Sequence, residues 1–224
     1  MGSACQIKGR AEQGGSVRLR YHRRHHCRPL AQPAVGVVIL YMLLRAYLAG
    51  PDVFLPDAPA QAARKTAICA RHGITALPPL NEDVASLAAM PHHEAWRIIY
   101  AKDIAMMEQA DLVIANLTPF RGASADAGTL VELGWFAGRG KPIFAYSNSA
   151  TPFAARSAAL LAVQPDAMPG LTVGGFGLPD NLMIPGAVEQ WGGLPMYLPD
   201  GADLPFDSLE VFARCVAAAA QRLR

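Results

Sequence analysis

The sequence predicts an α/β protein: a single domain with a parallel sheet flanked by helices, flavodoxin- or Rossmann-like in kind. Three observations point there. Residues 111–117, DLVIANL, form a continuous β-branched and apolar run that stops at Thr118-Pro119, as suits a strand buried on both faces. A loop of small residues follows, FRGASADAG, then helical spacing from Thr129 to Gly138, then a second apolar strand, KPIFAYS. The same alternation occurs upstream, where LRAYLAG, an Ala-rich helical stretch and ITAL succeed one another. Ligands of open parallel sheets sit beyond the C-terminal ends of the strands. That rule puts Asn116, the small-residue loop, Asp126 and the next helical turns at a site.

The 224 residues suffice for one domain, and a 52% hydrophobic, 17% charged composition can build its core. The net charge of +2 hides an asymmetry. Residues 1–33 hold seven Lys/Arg and one acid, Glu12, which leaves 13 basic and 17 acidic residues in the body. We therefore divide the chain into a basic N-terminal extension, 1–33, expected to be disordered, and a folded domain, 34–224. A mildly acidic body argues against a nucleic-acid surface. The tail stretch RYHRRHHCR carries His22, His25, His26 and Cys27, but a flexible basic run is a poor metal site. The apolar stretch AVGVVILYMLL is shorter than the roughly 20 residues of a membrane span and runs into Arg45, so it reads as the start of the first buried strand. Met42 stands where such a domain would naturally begin, so the tail is expected to be an upstream extension. Cys5, Cys27, Cys69 and Cys215 show no C-x-x-C spacing, which fits a reducing cytoplasm and no metal cluster.

The first strand ends at Tyr47, and Gly50-Pro51 opens a turn. Residues 57–72 read as a helix closed by Gly73, and ITAL as a second short strand stopped by Pro78-Pro79. Residues 80–91 form a loop expected to cover the site. From about Pro91 to Ala110 a helix with an apolar face of Ile98, Ile99, Ala105 and Met106 leads to the central strand, and Asp103 interrupts that face. His92 and His93 are adjacent on it, so they diverge by about 100° and read as surface. Asp126 is the expected N-cap of the next helix. Beyond Asn148 lie a short helix, a Gly/Pro-rich irregular stretch (GGFGLPDNLMIPGAV) and a closing amphipathic helix within 205–222, capped by Asp207 or Ser208.

Glu132 is the residue most in need of a reason. Gly128 precedes it by four positions and Thr129 by three, so only small groups cover the turn its side chain leans over. That leaves room for a ligand against the carboxylate. Leu130, Val131, Leu133, Trp135 and Phe136 surround it with apolar bulk, and burial raises a carboxyl pKa.

These residues resemble the nucleoside 2-deoxyribosyltransferase family. Five marks occur in family order across residues 45–185: Y-L-A-G-P from Tyr47, the helical Asp103, the strand ending N-L-T-P, D-x-G-T-x-x-E-L-G from Asp126, and D-N-L-M from Asp180. The departures are the basic tail and a weakly patterned segment at 149–178. The resemblance implies catalytic roles for Glu132, Asp103, Asp126 and Tyr47, and substrate contacts at Gly50, Asn116, Gly128, Asn181 and Met183. Tyr47 would orient Glu132, Asp103 would face the nucleobase, and Asn181 and Met183 would reach into a neighbouring subunit's site. It implies a homo-oligomer, at least a dimer, acting on 2′-deoxynucleosides and free purine or pyrimidine bases. No metal or organic cofactor and no membrane partner are expected.

The chemistry calls for the same parts. An N-glycosidic bond breaks through an oxocarbenium-like state that a carboxylate can trap, so a second base attacks with net retention. The leaving base needs a proton; Asp103 and Asp126 are both candidates to give it. Three rivals compete: an N-glycoside hydrolase of nucleosides or nucleoside 5′-monophosphates, a phosphoribohydrolase suggested by A-G-T-L-V-E, and a non-catalytic nucleotide-binding module. Asp52 and Asp57 in the first loop disfavour a phosphate; Asp126 and Ala127 break the phosphoribohydrolase glycines; and the full set of carboxylates disfavours the module.

Overall fold

In a computed structural model the described residues are 44–80, 90–163 and 169–224. They belong to one unit, Tyr41–Arg224. The basic tail, the stretch 34–43 that was expected to begin the first strand, and most of the 80–91 loop lie outside them.

Four strands, β1 (Leu44–Tyr47), β2 (Ile74–Leu77), β3 (Leu112–Asn116) and β4 (Ile143–Tyr146), form one parallel sheet in the order β2-β1-β3-β4. The helices are α1 (Ala58–Arg71), α2 (His92–Gln109), α3 (Ala127–Gly138), α4 (Phe153–Val163), α5 (Met183–Gly192) and α6 (Glu210–Arg222). A 3-10 turn, Pro51–Phe54, follows β1. Beyond β4 the described residues add one bridge: Tyr197 N–H donates to the Ala145 carbonyl and Ser147 N–H to that of Tyr197. Pro195 and Pro199 flank Tyr197 and deny any longer ladder.

The strands are buried on both faces, so their side chains alternate between two cores. Tyr47, Val113, Ala115, Ile143 and Ala145 face Met107 of α2, Leu133 and Phe136 of α3, and Ile184 and Val188 of α5. Ala46, Ile114, Phe144 and Tyr146 face Cys69 of α1 and Phe212, Cys215 and Val216 of α6. The parity of β1 therefore sends Tyr47 to the α2/α3 side. None of the described helices is long and apolar enough to cross a membrane.

Two helix ends differ from expectation. The stretch read as irregular ends in the first part of α5, because Pro185 falls in its first turn, where no intrahelical N–H is required. The N-cap of α6 is Leu209, without a side-chain bond; Ser208 Oγ reaches only Glu210 N–H, at 3.4 Å. The preceding backbone is instead held by Asn148, whose amide donates to the Pro205, Phe206 and Ser208 carbonyls.

Candidate functional site

At the C-terminal end of β1 the Tyr47 ring is fully buried and stacks on Phe136 at 6.1 Å. Its hydroxyl donates to Glu132 Oε1 at 2.6 Å. Leu133 and Phe136 anchor α3 in the core, which rotates Glu132 to the rim of that face, half-buried. Burial pushes the Glu132 carboxyl up to about 7; the Tyr47 hydrogen bond pulls it back, and the charges of Asp103 and Asp126 push it further up. Burial, then the Glu132 charge, raises Tyr47 far above the ordinary phenol range. Asp103, half-buried on α2, is raised by burial. The four predicted catalytic residues thus share one electrostatic neighbourhood, and it holds three carboxylates.

Asp126 caps α3: its Oδ2 accepts from Thr129 N–H at 2.9 Å and from the Thr129 hydroxyl at 3.1 Å. A Cβ at Gly128 would stand 3.1 Å from that oxygen, so the glycine keeps this cap open. Gly50 has φ 149°, and a Cβ there would stand 2.6 Å from Asn116 Cβ, so the loop after β1 crosses the end of β3 in contact. Asn116 is completely buried: its amide donates to Asp52 Oδ2 and its Oδ1 accepts from Thr118 N–H. Its amide therefore shapes the loops around the site from inside. Asn181 and Met183 are exposed at the start of α5; Asn181 Oδ1 accepts from Met183 N–H, and Met183 is 72% exposed. Neither hydrogen-bonds to the carboxylate cluster within the protomer.

Several residues that organise this region drew little notice in the sequence. Asp52 is no free negative charge. Its Oδ2 lies 2.6 Å from Lys65 Nζ, and the lysine is buried, with its ammonium over the Tyr146 and Phe212 rings. Burial lowers the pKa of Lys65 despite Asp52. Asp52 therefore does not oppose a phosphate in this loop as a free negative charge would. The signal was present: Ala58, Ala62, Lys65 and Cys69 form one helical stripe, and the stripe is buried. Arg156 was equally silent, and Asp180 stood out only as the first residue of D-N-L-M. No group of three or more His, Cys, Asp or Glu among the described residues is placed to hold a metal ion.

Comparison with known proteins bears on the family and the fold. The sequence profile of the family described as nucleoside 2-deoxyribosyltransferase matches residues 46–183, more than half of the chain. A solved 2-deoxyribosyltransferase from Leishmania mexicana is similar at 31% identity and a TM-score of 0.52, covering 77% of this chain and 97% of that one. A 2-deoxyribosyltransferase from Bacillus psychrosaccharolyticus is 20% identical, with a TM-score of 0.37 over 47% of this chain and 74% of its own. An uncharacterised protein of Schizosaccharomyces pombe is 34% identical over 103 residues, 46% of this chain; the chain spans about half, 49%, of the length of that curated relative. Carrying the family's signature in sequence from the end of β1 to the start of α5, on a parallel sheet similar to that of a solved relative, the chain belongs to the nucleoside 2-deoxyribosyltransferase family.

Proposed function

We propose that this protein transfers 2-deoxyribose between nucleobases through a covalent glycosyl-Glu132 intermediate, with net retention. One observation carries the reading: the 2.6 Å bond from Tyr47 to Glu132 Oε1 at the rim of a cluster of three carboxylates. That bond fixes one oxygen of Glu132 and leaves Oε2 to attack C1′ of a 2′-deoxynucleoside. The C1′–N bond breaks as the C1′–O bond forms, and the departing base takes a proton. Asp126 is engaged as an acceptor from Thr129, so we assign the proton to Asp103, whose burial raises its proton affinity. An incoming base then attacks C1′, breaks the ester and gives up its proton to the site. Two inversions give retention.

The active unit in this reading is a cytoplasmic homo-oligomer with a shared site. Asn181 and Met183 stand exposed, away from their own carboxylates, and would complete a neighbour's sugar pocket. Trp96, Tyr100 and Val131 are 56%, 59% and 70% exposed on the two helices that carry Asp103 and Glu132. Large apolar groups left in water beside a site suit an interface.

The test is a chromatographic assay of 2′-deoxyinosine with free adenine, for the wild type and Glu132→Ala in parallel. The expected result is 2′-deoxyadenosine from the wild type, with at least about a thousandfold less from the variant. Hypoxanthine and free deoxyribose without a new nucleoside would replace transfer by hydrolysis. No turnover of any purine or pyrimidine donor would leave a binding module.

A further inference from the structure

Asp180 is 2% exposed, yet its carboxylate accepts three hydrogen bonds. Ser124 Oγ donates at 2.6 Å and Ala125 N–H at 3.0 Å, both from the loop that ends in Asp126; Asn181 N–H donates at 2.8 Å. Arg156, at the start of α4, lies 3.9 Å away, with a side chain 11% exposed. Its guanidinium donates to the carbonyls of Ala123, Pro179 and Thr151. One buried ion pair therefore grips two chain segments, 123–125 and 179–181. Each gripped segment adjoins a residue of the candidate site: Asp126 on one side, Asn181 on the other. A loop of small residues has no core of its own to hold it, and neither does a Gly/Pro-rich segment. The fixed acceptor between them sets their relation.

We infer that Asp180, braced by Arg156, is a positioning residue that acts in two sites at once. Within its own protomer it holds the loop that presents Asp126; towards the neighbour it aims Asn181. This rests on the shared-site transferase reading. It adds to that reading that the base side of one site and the sugar side of the next are set by the same carboxylate. Asp180→Asn keeps the volume, removes the charge that pairs with Arg156 and leaves a donor facing Ala125 N–H or Asn181 N–H; since Arg156 also holds the Ala123 and Pro179 carbonyls, both grips loosen.

The experiment measures kcat and KM for 2′-deoxyinosine with adenine as acceptor. Asp180→Asn is expected to lower kcat by about tenfold to a hundredfold and to raise KM. Ser124→Ala, which removes a single bond of the own-site arm and should fold normally, is expected to lower kcat by about two- to fivefold with KM unchanged. Asp180→Asn is then co-expressed with Glu132→Ala under two tags, and the mixed oligomer is isolated. Its working Glu132 belongs to the Asp180→Asn chain, whose site now receives Asn181 aimed by an intact Asp180. KM is expected to return to within about twofold of wild type while kcat stays low. A merely structural role would not split the two constants in this way. Recovery of both constants would mean that Asp180 serves Asn181 alone, recovery of neither that it serves Asp126 alone; either overturns the two-site role. So would Asp180→Asn constants within twofold of an active wild type. A mixed oligomer of Asn181→Ala with Glu132→Ala that regains no activity would strike the shared site itself, and an inactive wild type would strike transfer.

Discussion

Glu132 and Asp52 are both carboxylates under cover at the same end of the sheet, and the protein treats them in opposite ways. Asp52 is paired with a buried ammonium at 2.6 Å and also accepts from Asn116. Among the described residues Glu132 accepts one hydrogen bond, from a phenol hydroxyl, while burial and then the charges of two neighbouring acids raise its pKa. An acid that only supports a loop is best neutralised by a partner. An acid that must bond to a sugar carbon has to be left short of partners, with its charge destabilised. The contrast separates a carboxylate neutralised by the fold from the one the proposed chemistry would use, and four measurements can break or sharpen it.

The largest effect is expected at Lys65. Lys65→Met strands the Asp52 charge beneath the Gly50 loop and should cost about 3–5 kcal/mol in urea unfolding. A loss under 1 kcal/mol would mean that the pair is not sealed. Glu132→Gln should act the other way. The folded Glu132 pKa, about 7, lies above the ordinary 4.5, so the stabilisation from its neutral form is complete below about pH 4.5 and lost as pH rises through 7. The amide escapes that loss. At pH 8 the variant should be more stable than wild type by about 3 kcal/mol at most, with no gain at pH 4. A gain independent of pH would show that packing, not charge, is responsible.

Gly50→Ala comes next. Its Cβ would meet Asn116 Cβ at 2.6 Å in a backbone region closed to L-residues, and about 2–3 kcal/mol should be lost. An unchanged melting temperature would show that the loop yields freely. Tyr47→Phe is the mildest and the most specific. The lost hydroxyl is the group that lowers the Glu132 pKa, so the acid limb of kcat/KM should move above pH 7, with about a tenfold loss at pH 6. An unmoved limb would assign that limb to another group.

Most of the sheet was legible because its strands are short apolar runs with breakers on each side. DLVIANL and KPIFAYS leave few alternatives once Thr118-Pro119 and Gly140 are read as stops. The Asp126 cap was legible for the same local reason, since an aspartate three residues before Thr129 has a backbone N–H to accept from. Helix α5 was not, because Gly186 and Pro185 suppress helical propensity while Ile184 and Val188 find a core to bury against.

The sequence by itself determined the family, the parallel α/β class and the identity of the four residues around the proposed chemistry. Those depend on local spacing and residue type, which the chain carries wherever it folds. Only the tertiary structure decided which acids stand alone. Lys65 lies thirteen residues from Asp52 and Asp180 fifty-five from Ala125, and nothing in their local spacing announces either contact. A buried charge is neutral or exposed to stress according to what the fold places against it, and that is a property of packing across the sheet rather than of any stretch of chain.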